Sequence, residues 1–169
     1  MPYSFLIVAI CIIDQAVKIA VERNISLLQD IPVIGEYVSL TYVKNYGAAF
    51  GMLESQTILL SAVAGAVFLL AWFYRRQLRQ YPKMLQMGIA FTLGGALGNF
   101  IDRIRLGYVI DYIDLHFWPV FNIADIMITV GAFWIVIGYL LANREHNKVH
   151  DDSGDEVVMI REETEEEQG

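Results

Sequence analysis

Four stretches of this chain are apolar over the length of a bilayer, and polar residues interrupt them in only a few places. Residues 56–74 carry no charge for 19 positions, and residues 84–101 and 126–143 carry none for 18 each. At about 1.5 Å per residue, each would reach roughly 27 Å or more as a helix, enough to cross a hydrocarbon core. Residues 2–21 are uncharged only as far as Ile13 and then carry Asp14 and Lys18, which predicts a first span with a polar outer end. A secretory signal peptide fits that stretch poorly, because it lacks a basic leader and a clear A-x-A cleavage site.

The segments between the spans set an orientation. Arg75, Arg76, Arg79 and Lys83 cluster in one short link with no acid among them. Basic links stay cytoplasmic, so both termini are expected there too, and Arg144 and Lys148 agree. Residues 24–55 and 103–120 then lie outside, the second of them rich in interfacial aromatics: Tyr108, Tyr112, Phe117 and Trp118. In the first, Pro32 and Gly35 signal a turn, and Val38, Leu40 and Tyr42 alternate with Ser39 and Thr41 as a strand does. One strand is not stable alone, so a small extracytoplasmic β-sheet is expected.

Composition agrees with membrane residence: 56% of residues are hydrophobic and mean hydropathy is +0.44. The net charge of −7 belongs to a tail. Residues 151–169 hold nine acids against one base, which is −8, whereas the first 150 residues hold ten acids against eleven bases, which is +1. The expected organisation is a four-span, mainly α-helical membrane domain over residues 1–150 and a disordered acidic cytoplasmic tail over 151–169. Cys11 is the only cysteine, so neither an intramolecular disulfide nor a cysteine metal cluster is possible. His116, His146 and His150 form no HExxH pattern, so no metal or other cofactor is expected.

The chemistry concentrates on a few polar positions. A carboxylate at the centre of a membrane helix costs about 2.5–3.5 kcal/mol, so a chain keeps one when it has a partner or a task. Asp125 and either Asp111 or Asp114 could form one shared site; spacing does not choose between the last two. Asp14 and Lys18, at i and i+4, suit an orienting ion pair. A Ser–Lys mechanism would need a serine aimed at Lys18, and nothing brings Ser61 there. Asn99, Asp102 and Arg103 share a helix face, with Arg103 suited to backbone carbonyls, Asp102 or a substrate carbonyl. Asn122 lies one turn before Asp125. Gly94 and Gly98 make a GxxxG step that lets helices approach closely.

Five motifs occur in order over about residues 4–142: Asp14-Gln15-x-x-Lys18, Asn45-x-Gly47-Ala48-Ala49-Phe50, Gly94-Gly95-Ala96-x-Gly98-Asn99-x-x-Asp102-Arg103, Gly107-x-Val109-x-Asp111 and Phe121-Asn122-x-Ala124-Asp125. Together they resemble lipoprotein signal peptidase, the signal peptidase II family. The resemblance implies four spans and an aspartyl dyad at Asp111 and Asp125. Asn45, Asn99, Arg103 and Asn122 would be substrate-binding or site-supporting positions, with Asp14 and Lys18 as supporting polar residues. It implies an intramembrane aspartyl endopeptidase of the bacterial cytoplasmic membrane. The enzyme would cut diacylglyceryl-modified prolipoproteins just before the lipid-modified cysteine, on the extracytoplasmic side, and would be a target of globomycin. Prolipoproteins and membrane lipid are the expected partners, nucleic acid is not, and the chain is expected to act as a monomer. Tyr112, where the family more often has phenylalanine, and the acidic tail depart from the pattern.

Two carboxyls held close together share a proton, one poised to accept from water and the other to donate to a carbonyl oxygen. Two rival classes make other demands. A proton relay for transport would need acids distributed across the membrane, whereas Asp14, Asp111 and Asp125 all fall toward the outer side, and no inverted repeat is visible. A purely structural subunit would tolerate loss of both carboxylates.

Overall fold

The computed structural model describes residues 3–47 and 57–143. The tail at 151–169 and the Ala48-Ala49-Phe50 part of one motif lie outside the described residues. Among the described residues, four helices and three strands follow one another along the chain. Helix α1 is Ser4–Asn24, followed by strands β1, Asp30–Ile34, and β2, Val38–Asn45. Helix α2 is Thr57–Phe73, and a 3-10 turn at Gln77–Gln80 leads to α3, Lys83–Leu106. Strand β3, Val109–Asp114, and helix α4, Ile123–Asn143, complete the fold.

Three of the helices, α1, α3 and α4, are long and apolar enough to cross a membrane, and α2 is a shorter apolar helix of 17 residues. The outward faces of these helices are hydrophobic. Phe5, Ile12, Leu69, Trp72, Phe133 and Leu140 are all more than half exposed, an apolar surface that suits acyl chains and not water. Helix α2 buries no residue; it packs on α3, where the Phe68 and Phe100 rings meet edge to face at 5.7 Å, and Thr57 at its start donates to the Tyr46 and Gly107 carbonyls at 2.9 and 3.0 Å.

Helix α3 is the spine, and small residues let its neighbours close on it. A Cβ at Gly94 would lie 2.9 Å from Cβ of Ile10 on α1, and one at Gly98 would collide with the Asp14 carboxylate. On the other side, a Cβ at Gly95 would collide with the Ala124 carbonyl oxygen of α4, and one at Gly88 would come within 2.8 Å of the Gly131 carbonyl. The GxxxG step is therefore half of a two-sided arrangement that packs α1 and α4 onto the same helix.

The strands form one antiparallel sheet in the order β1-β2-β3. Two of the three strands differ from the sequence expectation. The Pro32 region, read as a turn, is strand β1; it is an edge strand, where a residue without an N–H is tolerated, and its pairing with β2 is irregular between Pro32 and Ile34. The Asp111 region, read only as an aromatic-rich outer segment, is the other edge strand, β3. Gly107, with φ +81°, ends α3 in the left-handed conformation and donates its N–H to the Arg103 carbonyl at 3.1 Å, which turns the chain from helix into β3. Val21 and Ile25 near the end of α1 pack with Tyr42, Ile110 and Tyr112, fixing the sheet onto the helices.

Gly95→Ala forces its new methyl against backbone of α4, which cannot move aside as a side chain would. A loss of roughly 1–3 kcal/mol is expected, seen as a lower melting temperature in detergent. Gly65→Ala meets nothing within 4 Å and should melt like the parent or slightly higher. Equal melting of Gly95→Ala and the parent would contradict the close α3–α4 packing.

Candidate active site

The start of α4 shows how the site is assembled. The first N–H groups of a helix have no partner within it. Here the Ile123 N–H donates to the Tyr112 hydroxyl at 3.3 Å, the Ala124 N–H to Asp14 Oδ1 at 3.0 Å, and the Asp125 N–H to Asn122 Oδ1 at 3.0 Å. The Asn122 N–H in turn donates to Asp125 Oδ2 at 3.1 Å. Asn122 and Asp125 thus form a reciprocal cap, with Asn122 at the N-cap and Asp125 three residues on. The same exchange holds the Asp125 carboxylate at the positive end of the helix dipole, which favours its charged form.

Asp111 comes to the same place from the sheet. It pairs in register with Val43, next to Asn45 at the end of β2. Asn45 Nδ2 donates to Asp111 Oδ2 at 2.8 Å, and Asn122 Nδ2 donates to Asp111 Oδ1 at 2.6 Å. Asn99, on α3, donates from Nδ2 to Asp125 Oδ1 at 2.8 Å. Both carboxylates line a cleft of about 740 Å³, together with Asn45, Asn99 and Arg103. Its other wall is apolar, built from Leu60, Val63 and Val67 of α2. Burial pushes the Asp111 carboxyl up to about 7, and the neighbouring Asp125 charge adds to the rise, against the hydrogen bonds from Asn45 and Asn122.

The charged residues of the first motif, with Asp102 of the third, lie behind this cleft. Lys18 is 1% exposed and sits between Asp14 Oδ2 at 2.9 Å and Asp102 Oδ2 at 2.8 Å, themselves 0% and 1% exposed. Its ammonium also donates to Asn99 Oδ1 at 2.8 Å. Asp102 takes two further hydrogen bonds, from Gln15 Nε2 at 2.8 Å and from the Ile110 N–H at 3.2 Å. Removing one partner from such a cluster leaves an uncompensated buried charge, at a cost of about 3–5 kcal/mol.

All eight candidate residues therefore occupy one contiguous network: Asp111, Asp125, Asn45, Asn99, Arg103 and Asn122 near the cleft, Asp14 and Lys18 behind it. The structure places the alternatives left open by the sequence in different surroundings. Asp114 lies at the far end of β3, opposite Ser39; it accepts the His116 N–H at 2.7 Å and faces the His116 ring at 3.6 Å. Arg103 does not pair with Asp102. Its guanidinium reaches the Gly47 carbonyl at 3.5 Å, because adjacent helical positions point about 100° apart and Asp102 turns toward α1. Asp102 was undervalued from sequence: its spacing from Asn99 and Arg103 was visible, its partner on another helix was not. Tyr112 places its hydroxyl on the α4 cap, and burial pushes the phenol up. Among the described residues, no group of three His, Cys, Asp or Glu side chains is placed to hold a metal ion.

Membrane-length helices roofed by a small sheet, with two buried carboxylates facing one cleft, define a membrane-embedded aspartyl peptidase. The family described as Signal peptidase (SPase) II matches residues 6–141. The chain is 40% identical over 148 residues to the lipoprotein signal peptidase of Moorella thermoacetica, covering 88% of this chain and 99% of that protein. It is 44% identical over 133 residues to that of Caldanaerobacter subterraneus subsp. tengcongensis, covering 76% and 88%. A bacterial membrane enzyme solved by the in meso method superposes with a TM-score of 0.78 at 30% identity, covering 85% of this chain and 90% of that one. The chain belongs to the signal peptidase II family.

Proposed function

We propose that this enzyme hydrolyses diacylglyceryl-modified prolipoproteins with Asp125 as base and Asp111 as acid, cutting just before the lipid-modified cysteine. Removal of signal peptides from prolipoproteins is the reaction of the family to which the chain belongs. The observation that carries the assignment of roles is the unequal setting of the two carboxylates. Each carboxylate receives two N–H donors, but Asp125 alone is capped into the positive end of α4, with a backbone N–H among its donors. Asp111, on a strand and buried, holds its proton up to about pH 7.

The steps then balance. Asp125 takes a proton from water as the water oxygen attacks the scissile carbonyl carbon, and Asp111 gives its proton to the carbonyl oxygen. When the tetrahedral intermediate collapses, the C–N bond breaks. Asp125 passes its proton to the departing amine, and Asp111 recovers one from the hydroxyl. Each carboxyl ends in its starting state. Arg103 and the three asparagines hold the substrate backbone and the pair in place. The apolar α2 wall receives the signal-peptide helix, and the acyl chains remain in lipid.

The arrangement in the membrane is also proposed. All four helices span, α2 included, for its 17 apolar residues reach about 25 Å. The sheet lies outside and both termini inside. Connectivity supports this: the sheet joins the far end of α3, opposite the basic link at 75–83. Cysteine labelling should reach position 79 only from the cytoplasm and position 36 only from outside. The opposite accessibility would place the site on the wrong face.

Asp111→Asn and Asp125→Asn should each abolish cleavage of a diacylglyceryl-modified prolipoprotein, and the double variant should be scarcely worse than either single one. Asp114→Asn should retain substantial activity. In the parent, kcat/KM should fall above about pH 7 as the free enzyme loses the Asp111 proton. Normal cleavage by both Asp111→Asn and Asp125→Asn would remove the aspartyl mechanism. A dead Asp114→Asn beside an active Asp111→Asn would replace one member of the pair.

A further inference from the structure

Three asparagines donate to the two carboxylates, and an amide can do so only when its nitrogen, not its oxygen, faces the carboxylate. Two of the three are oriented by backbone. The Gly47 N–H donates to Asn45 Oδ1 at 2.9 Å, leaving Asn45 Nδ2 for Asp111. The Asp125 N–H donates to Asn122 Oδ1, leaving Asn122 Nδ2 for Asp111. No backbone N–H orients Asn99 among its hydrogen bonds. Its Oδ1 accepts from Lys18 Nζ at 2.8 Å and from Asn122 Nδ2 at 3.1 Å. An ammonium has three donors and no acceptor, so beside Lys18 only the amide oxygen is acceptable. The Asn122 amide can also make other hydrogen bonds, to Asp111 and to the Ile110 carbonyl at 3.3 Å, and so constrains Asn99 less.

We propose that Lys18 is a positioning residue for the reaction: its ammonium locks the Asn99 amide so that Nδ2 faces Asp125 and keeps that carboxylate ready to receive a proton from water. The inference rests on the reading of Asp125 as base. It gives the buried Asp14–Lys18–Asp102 cluster a second task besides joining α1 to α3. Lys18 touches neither Asp111 nor Asp125 by any hydrogen bond or ion pair in the described structure, so its contact with Asp125 runs through Asn99, in addition to the through-space attraction of its charge, which the Asn99→Ala background separates from the lock. Without the ammonium, the Asn99 amide is free to turn its oxygen toward Asp125. Two oxygens would then face each other beside the Asp111 carboxyl, with the Asn122 N–H and the Arg103 guanidinium left to compensate.

The test uses the full chain in detergent with a diacylglyceryl-modified prolipoprotein. Lys18→Met alone would strand two buried carboxylates, so it is combined with Asp14→Asn, which leaves Asp102 alone without its countercharge. This double variant should fold, as judged by its melting, and should lose about tenfold or more in kcat with KM changed by less than about threefold. The acid limb of its kcat profile should move up by about 1 pH unit. A merely structural role would lower the amount of active enzyme and leave that limb in place. In an Asn99→Ala background, the same pair of substitutions should cost less than about twofold more, because the residue they act through is gone.

Asn99→Leu provides an independent arm should the double variant fail to fold. It removes the donor to Asp125 without adding a charge beside it, so it must show the same displaced limb. An unmoved acid limb in a folded variant, or full additivity with Asn99→Ala, overturns the proposal. Activity in Asp125→Asn would instead overturn the reading of the base. An inactive Asp125→Asn beside unaffected Lys18 and Asn99 variants leaves that reading standing and removes this inference alone.

Discussion

One ammonium, Lys18, is buried between two helices and balanced by two carboxylates, and the rest of the architecture depends on it. Neither Asp14 nor Asp102 could stay ionised in so dry a place alone. Together with Lys18 they fix the rotation of α1 against α3, and the glycines at 94 and 98 allow the approach that brings the charges within 3 Å. The same two acids then serve other elements. Asp14 receives the second N–H of α4, and Asp102 receives the Ile110 N–H at the start of β3. The two elements that carry Asp111 and Asp125 are thus tied to one charge cluster before any contact between the two aspartates is considered.

From that cluster the polar network runs outward through amides, not through charges. This suits a pair that must share a proton. Fixed donors favour the negative charge of the pair without adding a second cation that would hold both members ionised. Asymmetry comes from secondary structure: Asp125 caps a helix and Asp111 lies on a strand. The helix end favours the charged form, and the buried strand favours the neutral one. Arg103, one turn beyond Asn99 on α3, lines the cleft, held by the Gly47 carbonyl and not spent on Asp102.

Much of this was legible in the chain. The uncharged runs located α3 and α4, the alternation at 38–42 located β2, and the polar positions of α1 pointed to an ion pair that does form. The less legible parts are those where tertiary pairing decides. Pro32 reads as a turn because nothing local says that it lies on a sheet edge. Asp111 and Asp114 are indistinguishable by spacing while their stretch is taken as helix. On a strand, side chains three apart point to opposite faces, and the choice follows from that parity. The resemblance to the family picked the residue that the sheet then placed in the cleft. The spacing of Asn122 one turn before Asp125 points to a contact with the aspartyl pair, but the reciprocal cap is less legible, because Asp is a less usual partner at that position than Glu or Gln.

The central claim is that Asp111 and Asp125 share one proton at neutral pH and that Asp111 holds it. Infrared difference spectra of the protein in lipid nanodiscs, taken across the range from about pH 5 to about pH 9, report protonated carboxyl groups directly. The account predicts a protonated-carboxyl band that is lost near pH 7, is absent from Asp111→Asn and persists in Asp114→Asn. A band that survives in Asp111→Asn and disappears in Asp125→Asn would contradict it.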